Sequence, residues 1–241
     1  MNNGRAVVPV YVVRATNGGF TYDLVPAMLK GYYTVEVGAP SNVADALYCR
    51  FKQIVGVRTR LKFENTVVMY VVESVVVEEP RIQLRDASYV VIKTVSPAIL
   101  PNPLVPNQQV KRFTASPGVM LWVPRMISYG VLTGTGNDTP RSYLEQEECL
   151  AEHYSTRLKA VFVNYDNNRE SALTAKAKYI LVARGYETRA RRIELLEKTL
   201  TAAKTYGIGA SRANGFGTIT AEKQNHPIKT KVRRLLANNR G

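Results

Sequence analysis

Residues 188–222 constrain the fold more than any other stretch. "TRARRIELLEKTLTAAKTYG" places Ile193, Leu196, Leu200 and Ala203 on one stripe of a helix, with charge elsewhere. Gly207 supplies the stop. "GIGASRANGFG" follows, with glycine at 207, 209, 215 and 217, and then "FGTITAE", which reads as a strand. A helix with one apolar stripe must bury it against a second layer, so this pattern demands a helix packed on a sheet.

The rest of the chain fits that demand. "RAVVPVYVVR" (5–14) reads as a first strand with Pro9 at its edge. "TYDLVPAMLKGYY" (21–33) reads as a helix, since Leu24, Met28 and Tyr32 step by four. "GAPSNVADALYCRFKQIVG" gives a second helix, with Ser41 or Asn42 as N-cap. Residues 57–99 are strand-rich in "VRTRLKFE", "TVVMYVVESVVV" and "SYVVIKTV". The proline-rich 100–117 reads as a loop closing the first half. "GVMLWVPRMISYGVL" reads as strand and "RSYLEQEECLAEHYSTRLKAVF" as an amphipathic helix. "KAKYILVARGY" reads as a strand. The order predicts an α+β chain of tandem ferredoxin-like (RRM-like) βαββαβ domains, 1–105 and 106–222, with a C-terminal glycine-rich loop. A basic tail, 223–241, completes it.

Charge sets the partner. Lys and Arg number 33 against 19 Asp and Glu, a net charge of +14, and such a field attracts polyanions, of which RNA is one. Cys49 and Cys149 are isolated and the histidines are His153 and His226, so no His/Cys zinc site can be written and no metal or cofactor is expected. No apolar run has the length of a membrane span and the N-terminus has no secretory core, so no membrane partner and a cytoplasmic location are expected.

Four readings of the glycine run compete. A dinucleotide fingerprint needs glycine where Arg212 stands, and should open a helix rather than close one. A phosphate loop of the Walker type needs Gly-Lys-Ser/Thr, which follows neither Gly209 nor Gly215. A bare backbone approached by a ribose-phosphate chain, with donors from Ser211 and Arg212, is the third reading. The fourth is a tight helix-to-strand connection without a ligand. Arg189, Arg191, Arg192, Lys198 and Lys204 before the loop, and six basic residues in the tail after it, favour an RNA path.

"YGIGASRANGFGTI" resembles the C-terminal glycine-rich loop of the RAMP superfamily, the CRISPR-associated RNA-binding proteins. Its G-x-G-x5-G-[FY]-G pattern is matched by Gly207, Gly209, Gly215, Phe216 and Gly217. "VIKTVSPAIL" (91–100) and the segment 143–162 resemble one branch, the CRISPR-repeat endoribonucleases. The resemblance implies a tandem ferredoxin-like pair and an RNA partner (CRISPR repeat or crRNA). It also implies metal-independent cleavage by 2′-hydroxyl attack, leaving a 2′,3′-cyclic phosphate. Many members use a Tyr near the end of the first helix and a His about fifteen residues on, with a Lys nearby. Here Tyr33 takes the first position, Tyr48 stands where the His would be, and Arg50 and Lys52 follow. These four are the catalytic candidates. Gly207, Gly209, Ser211, Arg212, Gly215, Gly217 and Lys204 are the RNA-binding candidates. With 14 tyrosines in the chain, packing is the competing role for Tyr32, Tyr33 and Tyr48, and His153 reads as a core-edge residue. Phe113 and Trp122, near Lys111, Arg112 and Arg125, could stack on bases, with strand packing favoured for Trp122. Without the histidine, the alternative is a non-catalytic crRNA-binding subunit that contacts other CRISPR effector subunits.

Overall fold

The computed structural model describes residues 14–16, 34–63, 66–105, 111–130, 139–165, 168–182, 186–212 and 215–225. The expected helix 21–33 with Tyr33, most of the expected first strand, and the tail from His226 onward lie outside the described residues. The elements in chain order are β1 (Arg14–Thr16), β2 (Thr34–Glu36), α1 (Ser41–Lys52), β3 (Arg58–Phe63), β4 (Thr66–Val71) and β5 (Tyr89–Thr94). Then come α2 (Pro117–Ser128), α3 (Thr139–Cys149), β6 (Leu150–Tyr165), β7 (Asn168–Leu181), α4 (Tyr186–Tyr206) and β8 (Ile219–Gln224).

The described residues form three antiparallel sheets: β1–β2, β3–β4, and a four-stranded sheet in the order β6-β7-β5-β8. Leaving α3 aside as an insertion, β5-α2-β6-β7-α4-β8 is a βαββαβ unit. The class is α+β, as the element order implies. Strand β5, counted above with residues 1–105, is a central strand of the sheet built otherwise from residues after 106. Its pairing with β7 and β8 on either side crosses the expected boundary, because a strand takes its place by long-range partners rather than by chain proximity.

One face of this sheet carries the core. Val90, Ile92, Leu173, Ala175, Ala177, Tyr179 and Ile219 are buried against Val119, Met120 and Leu121 of α2 and Leu196, Leu200 and Ala203 of α4. The stripe read from the α4 sequence is thus the buried one, and each fully buried leucine contributes about 1.5–3 kcal/mol relative to exposure. Tyr179 is fully buried, and its hydroxyl donates to the Ala115 carbonyl at 2.5 Å. Burial pushes its phenol well above the usual tyrosine range.

Two expected elements are corrected. "GVMLWVPRMIS" is helix α2, not strand. Its residues from Pro117 to Ile127 are all buried, and a segment apolar all round carries no period to separate buried helix from buried strand. Ser116 caps it, accepting from the Val119 N–H at 3.4 Å, and Pro117 occupies the first turn, where its missing N–H costs nothing. The carboxylate of Glu147 adds to that cap, accepting from the Gly118 N–H at 2.9 Å and from the Ser116 hydroxyl at 2.7 Å.

The expected helix over 141–162 is also divided. α3 ends at Cys149 and β6 begins at Leu150. Tyr143, Leu150, Tyr154, Leu158 and Val161 satisfy a helical stripe, yet pairing with β7 along the whole of β6 overrides it. Ser41 and Asn42, the expected caps, are instead the first helical residues of α1, and Pro40 takes the capping position. Its carbonyl accepts from Val43 and Ala44, at 2.9 and 2.8 Å, and among the described residues no side chain caps this helix start. Among the described residues, no helix is long and apolar enough to cross a membrane.

Candidate nucleic-acid interface

The glycine loop is held by backbone hydrogen bonds on both sides. Gly207, at φ 78°, closes α4 by donating to the Ala203 carbonyl at 2.9 Å. Ile208 then donates to Gly217, Ala210 to Ile99 and Gly217 to Pro97, each at 2.8 Å. The Ser96 hydroxyl accepts from the Thr218 N–H at 2.9 Å, and Val95 donates to the Thr218 carbonyl at 2.7 Å. The two sequence segments that resemble known motifs, 91–100 and 207–217, therefore form one structural unit at the end of β5.

This geometry explains why glycine is needed. A Cβ on Gly209 would stand 2.2 Å from the Ile99 carbonyl oxygen, and one on Gly217 would stand 1.9 Å from that of Ile208. Both have positive φ, at 73° and 72°. The space freed by the missing side chains is thus filled by the protein's own backbone. Gly207, Gly209 and Gly217 are buried, and Gly215 is half-buried. Sequence reasoning identified the glycines and singled out 91–100, but did not show that Ser96 to Ile99 anchors the loop. The signal for it was the Ser-Pro pair just past an apolar strand.

Polar candidates lie at the rim of the loop. Ser211 is half-buried with φ 53°, a left-handed conformation uncommon for a residue with a side chain. The Arg212 guanidinium folds back, donating from one terminal nitrogen to the Gly209 carbonyl. Its Nε is buried without a hydrogen-bond partner among the described residues, and burial lowers its pKa from the usual arginine range. Lys204 is exposed in the last turn of α4. With Arg81 and Lys223 it lines an open groove of about 280 Å³, together with Ile82, Gln83 and Ala221. Three cations from distant parts of the chain thus converge beside the helix that feeds the loop. Leu84, at the end of the 81–84 segment, donates its N–H to Glu197 of α4 at 2.6 Å.

The catalytic candidates within the described residues lie on α1. Tyr48 and Lys52 are one turn apart and share a face, with the Lys52 Nζ 5.3 Å from the centre of the Tyr48 ring. Arg50, two residues from each, projects away from that face. Tyr48 is half-buried, and Arg50 and Lys52 are exposed. The chain just before α1 reaches the end of α4: a Cβ on Gly38 would meet the Thr205 carbonyl oxygen at 1.6 Å. The start of α1 is therefore beside the start of the glycine loop, and Tyr48 lies roughly 10 Å further along the α1 axis.

Trp122 is buried, 4% exposed, on α2 rather than on a strand. Arg125 beneath it is 3% exposed and paired with Glu145 at 2.8 Å, and Lys111 pairs with Glu170. Burial lowers the Arg125 pKa, opposed by the hydrogen bond and charge of Glu145. Trp122 and Arg125 are thereby part of the packed interior. Phe113 stays 43% exposed.

No protein-family model matches the chain, and no curated protein matches it. Solved structures do. Thermus thermophilus Cas6 (TTHB231) is 13% identical over 60% of this chain and 55% of its own, with a TM-score of 0.42. The chain thus spans about half the length of that protein. The Cas6 (TTHA0078) product complex is 13% identical over 80% of both chains, with a TM-score of 0.55. A structure of the CRISPR endoribonuclease Cse3 bound to 19 nt RNA is 11% identical over 57% of this chain and 56% of its own, with a TM-score of 0.31. At these identities a likeness speaks for architecture, and the TTHA0078 match carries it. Cas6 and Cse3 CRISPR endoribonucleases are among the structural neighbours of this chain, and its α+β architecture resembles the fold of the Cas6 in that product complex.

Proposed function

We propose that the protein binds CRISPR repeat RNA and cuts precursor crRNA within the repeat, without a metal ion. The observation that carries this reading is the stitched unit of Ser96–Ile99 and Gly207–Thr218. It sits at the end of a βαββαβ sheet, on a chain of net charge +14 that shares a Cas6 fold. The loop rim, with Ser211, Arg212 and Lys204, supports the strand, and Gly207, Gly209, Gly215 and Gly217 set the loop's shape.

In the reaction, the 2′-hydroxyl gives its proton to a base and the 2′-oxygen bonds to the adjacent phosphorus. The bond to the 5′-oxygen breaks and that oxygen takes a proton, leaving a 2′,3′-cyclic phosphate and a 5′-hydroxyl. A base, an acid and a cation are required. Tyr33, Tyr48, Lys52 and Arg50 are the proposed groups. Tyr48 and Lys52, facing one another on α1, serve as an acid and an electrostatic clamp. A phenol O–H and an ammonium N–H are both hydrogen-bond donors, which suits these two roles. Positioning of the 2′-oxygen supplies further barrier reduction.

The test is incubation with repeat RNA in EDTA. A cut with a cyclic phosphate end is expected, and a 2′-deoxy nucleotide at the cleavage position is expected to abolish it. No cut in EDTA, or an unaffected deoxy substrate, overturns the mechanism.

A second reading rests on a specific absence: no histidine precedes His153 in the sequence. Under it the chain is a non-catalytic crRNA-binding subunit of an effector complex. Native mass with and without RNA separates the two. A repeat nuclease binds one repeat as a monomer or dimer, whereas an effector subunit assembles with partner proteins along guide RNA.

A further inference from the structure

The helices cover one face of the four-stranded sheet, and the opposite face carries an unusual set of side chains. Tyr89 and Val91 of β5 point away from the core residues Val90 and Ile92. In register, Val91 pairs with Lys178 of β7, and Lys178 with Tyr154 of β6. Lys93 pairs directly with Lys176. These side chains therefore share the face, and the Lys178 Nζ lies 4.0 Å from the centre of the Tyr89 ring.

A β-bulge adds a second ring. The β6–β7 register shifts between Glu152 and Tyr154, so His153 escapes the alternation that would turn it to the other side. Its ring lies 5.7 Å from Tyr89 and 5.3 Å from Tyr154. Tyr89 is 9% exposed, a floor beneath Lys178 and His153, whereas Tyr154 is 46% exposed. Lys93 and Lys176, both exposed, set like charges directly opposite one another, which disfavours the sheet unless an anion lies between them. Glu222, opposite Val91 on β8, is an acidic neighbour.

We infer that the exposed part of this face, beyond the end that Phe216 of the glycine loop covers, is a platform for single-stranded RNA. Bases stack on Tyr154 and His153, with Tyr89 bracing the His153 ring, and phosphates lie over Lys93, Lys176 and Lys178. Aromatic rings on a four-stranded sheet read unpaired bases in this manner, and stacking tolerates any base. The ligand class rests on the RNA reading above, and the surface would hold an unpaired segment of the same RNA.

The test uses the full chain and an unstructured 12-nucleotide RNA without repeat sequence, so that it does not depend on cleavage. Fluorescence anisotropy is measured across a salt series for the parent, for His153→Ala with Tyr154→Ala, and for Lys93→Gln with Lys176→Gln. The aromatic pair is expected to weaken binding about thirtyfold or more with the salt slope unchanged. The lysine pair is expected to flatten the slope by about 1.4, two phosphate contacts on a single strand. Ultraviolet cross-linking should place adducts on the peptide carrying His153 and Tyr154. Variants that keep the parent circular dichroism and bind as the parent does overturn the platform, as do adducts confined to 207–217. Cleavage of repeat RNA in EDTA, read on the same variants, shows separately whether the nuclease reading stands. A parent that binds neither RNA removes both.

Discussion

At Gly209 and Gly217 the requirement for glycine has two sources that can be measured apart. A Cβ there meets a carbonyl oxygen at 2.2 or 1.9 Å, and the backbone is left-handed as well. Gly56 is left-handed too, at φ 76°, but a Cβ there would meet nothing within 4 Å among the described residues. Gly56→Ala should therefore cost about 1–2 kcal/mol, the left-handed penalty alone. Gly209→Ala or Gly217→Ala should cost roughly 4 kcal/mol or more, because a loop stitched at both ends cannot move away from the clash. Urea unfolding of the three variants checks the order. Equal losses would mean that the loop relaxes and that its close packing is not what selects glycine. The same residues show what a sequence exposes at this scale. Four glycines in eleven positions announced an unusual backbone, but whether RNA or the chain itself occupied the vacated space depended on Ile99 and Pro97, more than a hundred residues away.

Helix α2 is an element whose ends are local and whose identity is not. Ser116 and Pro117 form a start signal visible in the sequence. The apolar run behind them fits strand and helix equally well. What settles it is the burial of every side on the sheet, α3 and α4, with Gly118 lying against the Tyr143 ring of α3. Glu147 of α3 joins the two elements by capping the start of α2. Glu147→Ala is expected to lower stability by about 1–2 kcal/mol, as for loss of a helix cap with its dipole partner. The expected sign is a lower urea midpoint with the m-value unchanged. An unchanged midpoint would show that Ser116 alone suffices. α1 poses the reverse case. Its helical span was readable from its pattern, but the face shared by Tyr48 and Lys52 and the departure of Arg50 from it follow from helical geometry. The nearness of its start to α4 follows from Gly38 against Thr205.

Over the whole molecule the excess of positive charge makes any RNA complex sensitive to ionic strength, since each neutralised phosphate releases a counterion. Arg212→Ala is expected to weaken repeat-RNA binding and to reduce the salt slope by about one unit. Titration of the parent and variant at several salt concentrations checks it, and an unchanged slope would confine Arg212 to its internal bond with Gly209. Composition determined this polyelectrolyte character by itself, because net charge is a sum that folding does not alter. Local pattern likewise determined that α4 has one apolar stripe, that it ends at Gly207, and that a strand follows. Tertiary structure alone decided that β5 sits between β7 and β8, that 150–165 is strand rather than helix, and that His153, Tyr154 and Tyr89 meet on one face. Those outcomes depend on pairing between residues far apart in the chain. Such pairing outweighs local preferences of a few tenths of a kcal/mol per residue, because each strand gains a full ladder of partners only in one arrangement.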